Sequence, residues 1–187
     1  IEFYYNNWSF PPGDSEFLYS IIRNKRPSKF IEVWSWNSTL MAINAIKQNK
    51  IDNKNYECEH ICIEPYERYW LEKTWTKIIR DKLENIDMKI FKELKENDIL
   101  FIDSSHIIKP WWDVLKEYLE ILPILNKWVI VHIHDIFTPN EYPSQWLEVG
   151  VNFWNEQYLL EAFLSNNESF KIIWMLNHLN EKYNDKL

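Results

Sequence analysis

The chain has 187 residues, of which 46% are hydrophobic and 26% charged, and this balance excludes a disordered protein. The length predicts a single domain over 1–187, with one substantial core. The formal net charge of -7 argues against a general affinity for nucleic acid, whose phosphates require clustered Lys and Arg.

Targeting signals are also missing from the sequence. No stretch approaches the roughly 18 to 20 consecutive apolar residues of a membrane span, and no charged-then-apolar signal segment opens the chain. We therefore predict a cytoplasmic protein that has no membrane partner. The first residue is Ile1 rather than Met, which indicates a fragment truncated at its ends. The oligomeric state has no signature in the sequence.

Apolar runs of strand length alternate with amphipathic segments, which is typical of a parallel sheet covered by helices on both faces. The predicted strands are 30–33, 59–63, 76–80, 98–103, 128–134 and 170–175. The predicted helices are 14–23, 38–48, 65–73, 88–95, 113–125 and 155–164. The fold class is thus α/β, with a doubly wound and mainly parallel sheet. The aperiodic segment 137–152 is interpreted as either a substrate loop or a plain insertion.

The tryptophan content is unusual, because the chain has 11 Trp and only 2 Gly. An average glycine usage of about 7% would give roughly 13. Tryptophan also occurs where turn chemistry favours glycine, above all after the first strand. We hypothesise that UGA codons, read as glycine in the source organism, were here translated as tryptophan; the alternative is a real tryptophan-rich, decayed paralogue. The glycine-like positions are Trp8, Trp34, Trp36, Trp70, Trp75, Trp111, Trp112 and Trp128.

The segment 30–40 has the layout of a nucleotide-binding strand and turn. With glycine at positions 34 and 36, residues 32–39 would read Glu-Val-Gly-Ser-Gly-Asn-Ser-Thr. This motif resembles the first motif of class I S-adenosylmethionine-dependent methyltransferases. A small family within that class also joins it to segments like 101–106, 109–110, 129–137 and 154–160, so the resemblance runs from about 14 to 177.

The resemblance implies a Rossmann-like fold, S-adenosylmethionine as cofactor and a small-molecule acceptor. In an open α/β sheet, ligands bind outside the carboxyl ends of the strands. Glu64 lies a little over 20 residues after the turn, where an adenosine site uses a carboxylate for the ribose, although spacing alone allows an exposed strand-end glutamate. The predicted cofactor-binding residues are Glu32, Trp34, Ser35, Trp36, Asn37, Glu64 and Asp103.

Acidic residues at strand ends are expected to converge on one edge of the sheet. Asp103 and Asp135 would end neighbouring strands about 5 Å apart, so they could share Mg²⁺, as the resemblance to catechol-type methyltransferases implies. Ile136 departs from that type, which commonly has a further polar ligand there. His134 is the first choice of general base, beside Asp135, and His106 is the second. A packed core histidine is the alternative for both.

An acceptor wall is predicted from the aromatic residues of 142–146 with Phe153 and Trp154, and its alternative is an aromatic core under a loop. The predicted reaction is O-methylation of a small-molecule or sugar-like acceptor. A noncatalytic Rossmann-like scaffold that has lost the cofactor is the competing hypothesis. A nicotinamide oxidoreductase is disfavoured, because Thr39 holds the place of the third glycine in its fingerprint.

Overall fold

The computed structural model describes residues 2–7 and 9–183. Its centre is a five-stranded, all-parallel sheet with the order β3-β2-β1-β4-β5. Strand order reverses between β1 and β4, and ligands of doubly wound sheets bind at such a switch point. The strands are β1 (Lys29–Val33), β2 (Glu59–Ile63), β3 (Lys77–Ile79), β4 (Ile99–Ile102) and β5 (Ile130–Ile133).

Helices connect these strands and follow the last of them. The longest, α2, is the crossover from β1 to β2, and a helical segment over 113–124 begins as α4 and continues through a π turn and a 3-10 turn. Within the described ranges, no helix is long and apolar enough to cross a membrane. The helices are α1 (Asp14–Lys25), α2 (Asn37–Asp52), α3 (Lys89–Lys92), α4 (Asp113–Lys116), α5 (Ser144–Glu148), α6 (Glu156–Leu164) and α7 (Leu176–Tyr183).

Two hydrophobic clusters cover the two faces of the sheet, because successive residues of a strand point to opposite sides. Phe30 of β1 packs with residues of α1 and α2, including Leu18 and Ile46. Ile31 packs on the other face with the segment 113–124, which contributes the fully buried Tyr118. The predicted α/β fold, Rossmann-like and doubly wound with helices on both faces, is therefore confirmed.

Two predicted elements were wrong. The segment 65–73 forms only a single 3-10 turn at Leu71–Lys73, and the guanidinium of Arg80 donates to the backbone oxygens of Glu64 and Tyr66, which a helix would have used internally. The predicted strand 170–175 is also absent. Its apolar residues pack as side chains, Phe170 against Phe163 and Trp174 against Phe17, without joining the sheet beside β5.

Candidate active site

The turn after β1 has the backbone that the sequence predicted for glycine. Trp34 adopts φ 64°, in the left-handed region that costs an L-residue about 1–2 kcal/mol. Trp111 and Trp128 do the same, with φ 62° and 69°. Trp36 and Trp112 have ordinary extended values of -145° and -101°, and Trp8 lies outside the described residues. Three of the predicted glycine-like positions thus have a glycine-like backbone.

The side chains of this turn cover the carboxylate predicted to bind ribose. Glu64 is fully buried and accepts hydrogen bonds from the backbone N–H groups of Ser35 (3.1 Å) and Tyr66 (2.9 Å). The Trp34 ring contacts the Tyr66 ring at 5.6 Å. The guanidinium of Arg68 lies 3.9 Å from the Trp36 ring centroid, with its Nε 3.5 Å from Glu64. Glu64 is therefore at the predicted turn, but the chain's own groups occupy it.

Glu32 does not join the other acids. One of its carboxylate oxygens accepts from Ser38 Oγ at 2.5 Å and the other from Thr39 Oγ1 at 2.6 Å, so it fixes the start of α2. It is completely buried, with His60 Nε2 3.5 Å away. The predicted convergence of four acids on one edge is wrong for Glu32, because the alternation of β1 directs it with Phe30 toward α1 and α2.

The side chain of Asn37 is also bonded within the chain. Its Nδ2 donates to Asn7 Oδ1 at 3.0 Å and to Ser9 Oγ at 2.7 Å, so it ties α2 to the N-terminal segment. The two cysteines are free thiols, of which Cys62 is buried and Cys58 half-buried. Burial raises the pKa of Cys62 well above its usual range, and it raises the pKa of Cys58 to about 12.

Four predicted residues do come together beyond β4 and β5. Asp103 Oδ1 lies 3.1 Å from His134 Nδ1 and 3.4 Å from His106 Nε2. Asp135 Oδ2 lies 3.4 Å from His134 Nδ1 and 3.7 Å from His106 Nε2. The two rings are 4–5% exposed, whereas the two carboxylates keep 19% and 23% of their exposure. We call these four residues, Asp103, His106, His134 and Asp135, the acid–imidazole cluster. A molecule that entered the site would meet its carboxylates before its rings.

Charge within the acid–imidazole cluster is balanced by protonated imidazoles. Burial by itself would lower the pKa of His106, but hydrogen bonds to Asp103 and Glu156 raise it to about 9. Burial by itself would also lower the pKa of His134, but the charge of Asp103 raises it well above its usual range. Burial would raise the pKa of Asp103, yet the charge of His134 and hydrogen bonds from both rings lower it. At neutral pH both imidazole rings are therefore positively charged.

The cluster fits Mg²⁺ poorly. Asp103, His106 and Asp135 offer ligand atoms within 4.8 Å of one another, but one of the three is a ring nitrogen, and Mg²⁺ prefers an all-oxygen shell. Asp103 Oδ1 already lies close to a nitrogen of each imidazole ring, His134 Nδ1 and His106 Nε2. The magnesium site remains a prediction of the sequence.

Glu156 and Tyr118, which received no site role from the sequence, form a buried chain of contacts to His106, and Trp154 of the predicted acceptor wall lies beside it. Glu156 Oε2 lies 2.8 Å from His106 Nδ1, and its Oε1 accepts the Tyr118 hydroxyl at 2.9 Å. The Trp154 ring lies against the His106 ring at a tilt of 45°, with the ring centroids 4.4 Å apart. The signal was present in the motif 154–160, which carried the resemblance but no chemistry. Only the fold reveals that this motif meets a histidine 50 residues earlier.

The predicted acceptor wall is partly assembled. The Trp146 ring contacts Trp154 at 4.8 Å, and Tyr142 contacts Trp154 at 6.1 Å, which extends an aromatic surface from His106. Phe153 does not join it and is 66% exposed. Tyr142 is nearly buried and its hydroxyl accepts from the Gln157 N–H, so this residue acts as a packing element of the wall.

The fold and the site define a Rossmann-like α/β protein whose polar cluster lies at the carboxyl ends of its strands. Residues 33–136 match a family model described as a methyltransferase domain. The match covers more than half of the chain, so the chain belongs to this methyltransferase family.

A solved structure gives a more distant likeness. The crystal structure of a Plasmodium falciparum protein, described as a protein-L-isoaspartate O-methyltransferase in complex with S-adenosyl-L-homocysteine, is similar with a TM-score of 0.42 and 17% identity. The likeness covers 72% of this chain and 67% of that one. Comparison with curated protein sequences gave no significant match.

Proposed function

We propose that this chain is an S-adenosylmethionine-dependent methyltransferase domain that methylates oxygen on a small-molecule or sugar-like acceptor. The observation that carries the proposal is the acid–imidazole cluster at the carboxyl ends of β4 and β5, next to the turn of β1 where strand order reverses. Membership of the methyltransferase family supports the same reaction class. As in the sequence-based prediction, a single cytoplasmic domain is part of the proposal.

Cofactor binding is proposed for the protein with glycine at positions 34 and 36. The indoles and Arg68 now occupy the surroundings of Glu64, and a left-handed Trp34 supports a glycine at that position. Without the indoles, the turn could approach a ligand closely, and Glu64, which keeps its N–H donors from Ser35 and Tyr66, could also accept ribose hydroxyls with its remaining lone pairs. Codons decide the recoding itself: UGG at positions 34, 36 and 128 would refute it.

The cofactor would supply the methyl group from its sulfonium, and the protein would align the acceptor and remove its proton. Asp135 and Asp103 are the exposed acceptors of a hydroxyl hydrogen bond, and His106 Nε2 lies behind them. We place His106 ahead of His134 as the base, because the remaining His134 nitrogen, Nε2, lies 3.5 Å from the Asp14 carboxylate. The rate should rise with pH toward about 9, as His106 loses its proton.

Isothermal calorimetry with S-adenosylmethionine tests the proposal in three proteins. The Trp34→Gly/Trp36→Gly variant should release heat of binding, and the unchanged chain should release none. Trp128→Gly is the matched control, since its backbone is equally left-handed (φ 69°) but it precedes β5, at the opposite end of the strands. Absence of binding in the double variant would refute the cofactor site.

The filled turn favours one alternative, a noncatalytic Rossmann-like scaffold in which the tryptophans are real. That hypothesis predicts no binding in any of the three proteins. A nicotinamide oxidoreductase would instead be exposed by thermal protection with NAD where S-adenosylmethionine gives none.

A further inference from the structure

The start of α6 encloses His106 from several sides. The backbone oxygen of His106 accepts the N–H groups of Asn155 (2.9 Å) and Glu156 (3.1 Å). The Asn155 side-chain oxygen accepts the N–H of Ile108 at 2.6 Å, and the Trp154 ring lies on the imidazole. His106 itself is left-handed, with φ 58°, so its backbone is held in an uncommon conformation by these contacts.

The Glu156 carboxylate completes this enclosure, because each of its two oxygens contacts a different residue. One oxygen faces His106 Nδ1 at 2.8 Å, and the other accepts the hydroxyl of Tyr118 at 2.9 Å. Both Glu156 and Tyr118 are buried, at 0% and 1% exposure, in the helical layer that covers the sheet. A carboxylate in this environment keeps its charge only with strong partners, and the imidazole is the closest positive group.

We propose that Glu156 is a positioning residue, anchored by Tyr118, which fixes the proton on His106 Nδ1 and turns Nε2 toward Asp103 and Asp135. The inference rests on the proposed function in one respect, which is that His106 acts on the acceptor. In neutral His106, a proton fixed on Nδ1 leaves Nε2 as the free, basic nitrogen. The order Tyr118, Glu156, His106 follows the general pattern in which a third group orients a base.

The same contacts argue against a purely structural role for the carboxylate. The backbone of the 105–108 loop is joined to the start of α6 by backbone groups and by Asn155, and these hydrogen bonds do not use the Glu156 side chain. An apolar residue could fill the same buried space, but it would leave the His106 imidazole without this carboxylate, and removing one member of a buried charge pair is costly. An apolar residue cannot accept a hydrogen bond from His106 Nδ1.

Imidazole ¹⁵N spectroscopy tests the proposal without cofactor or acceptor, so the result is independent of the proposed function. In the unchanged chain, His106 should show a hydrogen-bonded, slowly exchanging Nδ1 proton. Glu156→Leu should lose that resonance, and Glu156→Gln should retain a weaker one, because an amide oxygen still accepts. Glu161→Leu is the matched control: it is an exposed carboxylate on the same helix, and its spectrum should be unchanged.

A second variant protects the test against misfolding. Glu156→Leu leaves the Tyr118 hydroxyl without its partner, whereas Tyr118→Phe/Glu156→Leu removes both polar groups together, which is less costly. The double variant should lose the Nδ1 resonance while near-ultraviolet circular dichroism stays native. The proposal is overturned if the unchanged chain lacks the resonance, or if a folded variant with leucine at position 156 keeps it.

Discussion

Two halves of the carboxyl edge of the sheet differ in how their groups are used. At the β4–β5 half, the acid–imidazole cluster pairs every charge with an opposite one, and backbone bonds from α6 hold His106. At the β1–β2 half, a left-handed tryptophan and a cation–π pair cover Glu64. The first half is a set of closely spaced, oppositely charged side chains. The second has the backbone of a ligand turn and side chains that oppose a ligand.

This contrast teaches that backbone conformation and side-chain identity can disagree within one motif. Left-handed Trp34 follows a strand that is paired on both sides, so the sheet fixes the path of the chain into the turn. The side chain then occupies whatever space that path leaves. If the two halves differ in this way, substitutions in the β4–β5 half should change stability more than substitutions in the β1–β2 half.

The largest effect should come from removing the charge of Asp103. Asp103→Asn leaves two buried imidazolium groups with one fewer carboxylate, so the free energy of unfolding should fall by about 3 kcal/mol at pH 7. Urea denaturation measures the change. Asp87→Asn is the control, because Asp87 is exposed and its loss should have no measurable effect. Equal stability of the two variants would contradict the view of the β4–β5 half as a tightly coupled cluster.

The free energy of unfolding should also depend on pH, through His106 of the β4–β5 half. The pKa of His106 is raised to about 9, so its contribution is complete below its unfolded value near 6.5 and is lost as pH rises through about 9. The expected loss is on the order of 3 kcal/mol.

Below pH 6.5 the free energy of unfolding should fall as well. Burial and the charge of His134 lower the pKa of His132 to about 4, so the unfolded chain binds a proton more readily than the folded one as pH falls toward that value. Thermal unfolding from pH 5 to 10 should therefore show a maximum near 6.5. His106→Gln should weaken the alkaline decline; an unchanged profile in that variant would exclude His106 as its cause.

Smaller effects are expected where left-handed tryptophans are exposed. Trp111 and Trp128 are 90% and 68% exposed, so replacing both with glycine removes little packing and relieves two strained backbones. The double variant should gain about 1 kcal/mol, after the entropy that glycine adds to the unfolded chain is subtracted. Trp112→Gly should destabilise instead, since its φ of -101° needs no glycine and its ring contacts Lys109. A destabilised double variant would refute the glycine-like assignment.

The smallest effect concerns the cover over Glu64. Arg68 lies 3.9 Å from the Trp36 ring centroid, and a partly exposed cation–π contact of this kind contributes about 0.5 kcal/mol. A double-mutant cycle of Arg68→Ala and Trp36→Gly should measure a coupling of that size. A coupling of several kcal/mol would mean that this half is as tightly organised as the β4–β5 half, and the comparison would fail.

Much of the fold follows from local pattern. The strand predicted over 59–63 matches β2 residue for residue, because an apolar run bounded by polar residues leaves little choice of register or limits. The predicted strand at 170–175 had a similar composition but found no neighbour to pair with. Strand propensity describes a fit to a sheet, and a sequence alone does not say whether the sheet has room.

The sequence by itself determined the doubly wound fold, the meeting of Asp103 with Asp135, and the glycine-like turn at Trp34, since strand ends and turns are encoded within a few residues. Tertiary structure alone decided that Glu32 serves α2, that Arg68 covers Glu64, and that Glu156 meets His106. Glu32 and Arg68 contact residues four to seven positions away, but burial and side-chain direction decided those contacts. Glu156 and His106 are 50 positions apart, so nothing in their spacing announces the contact. It arises only when packed layers bring buried polar atoms within hydrogen-bond distance, where each must find a partner.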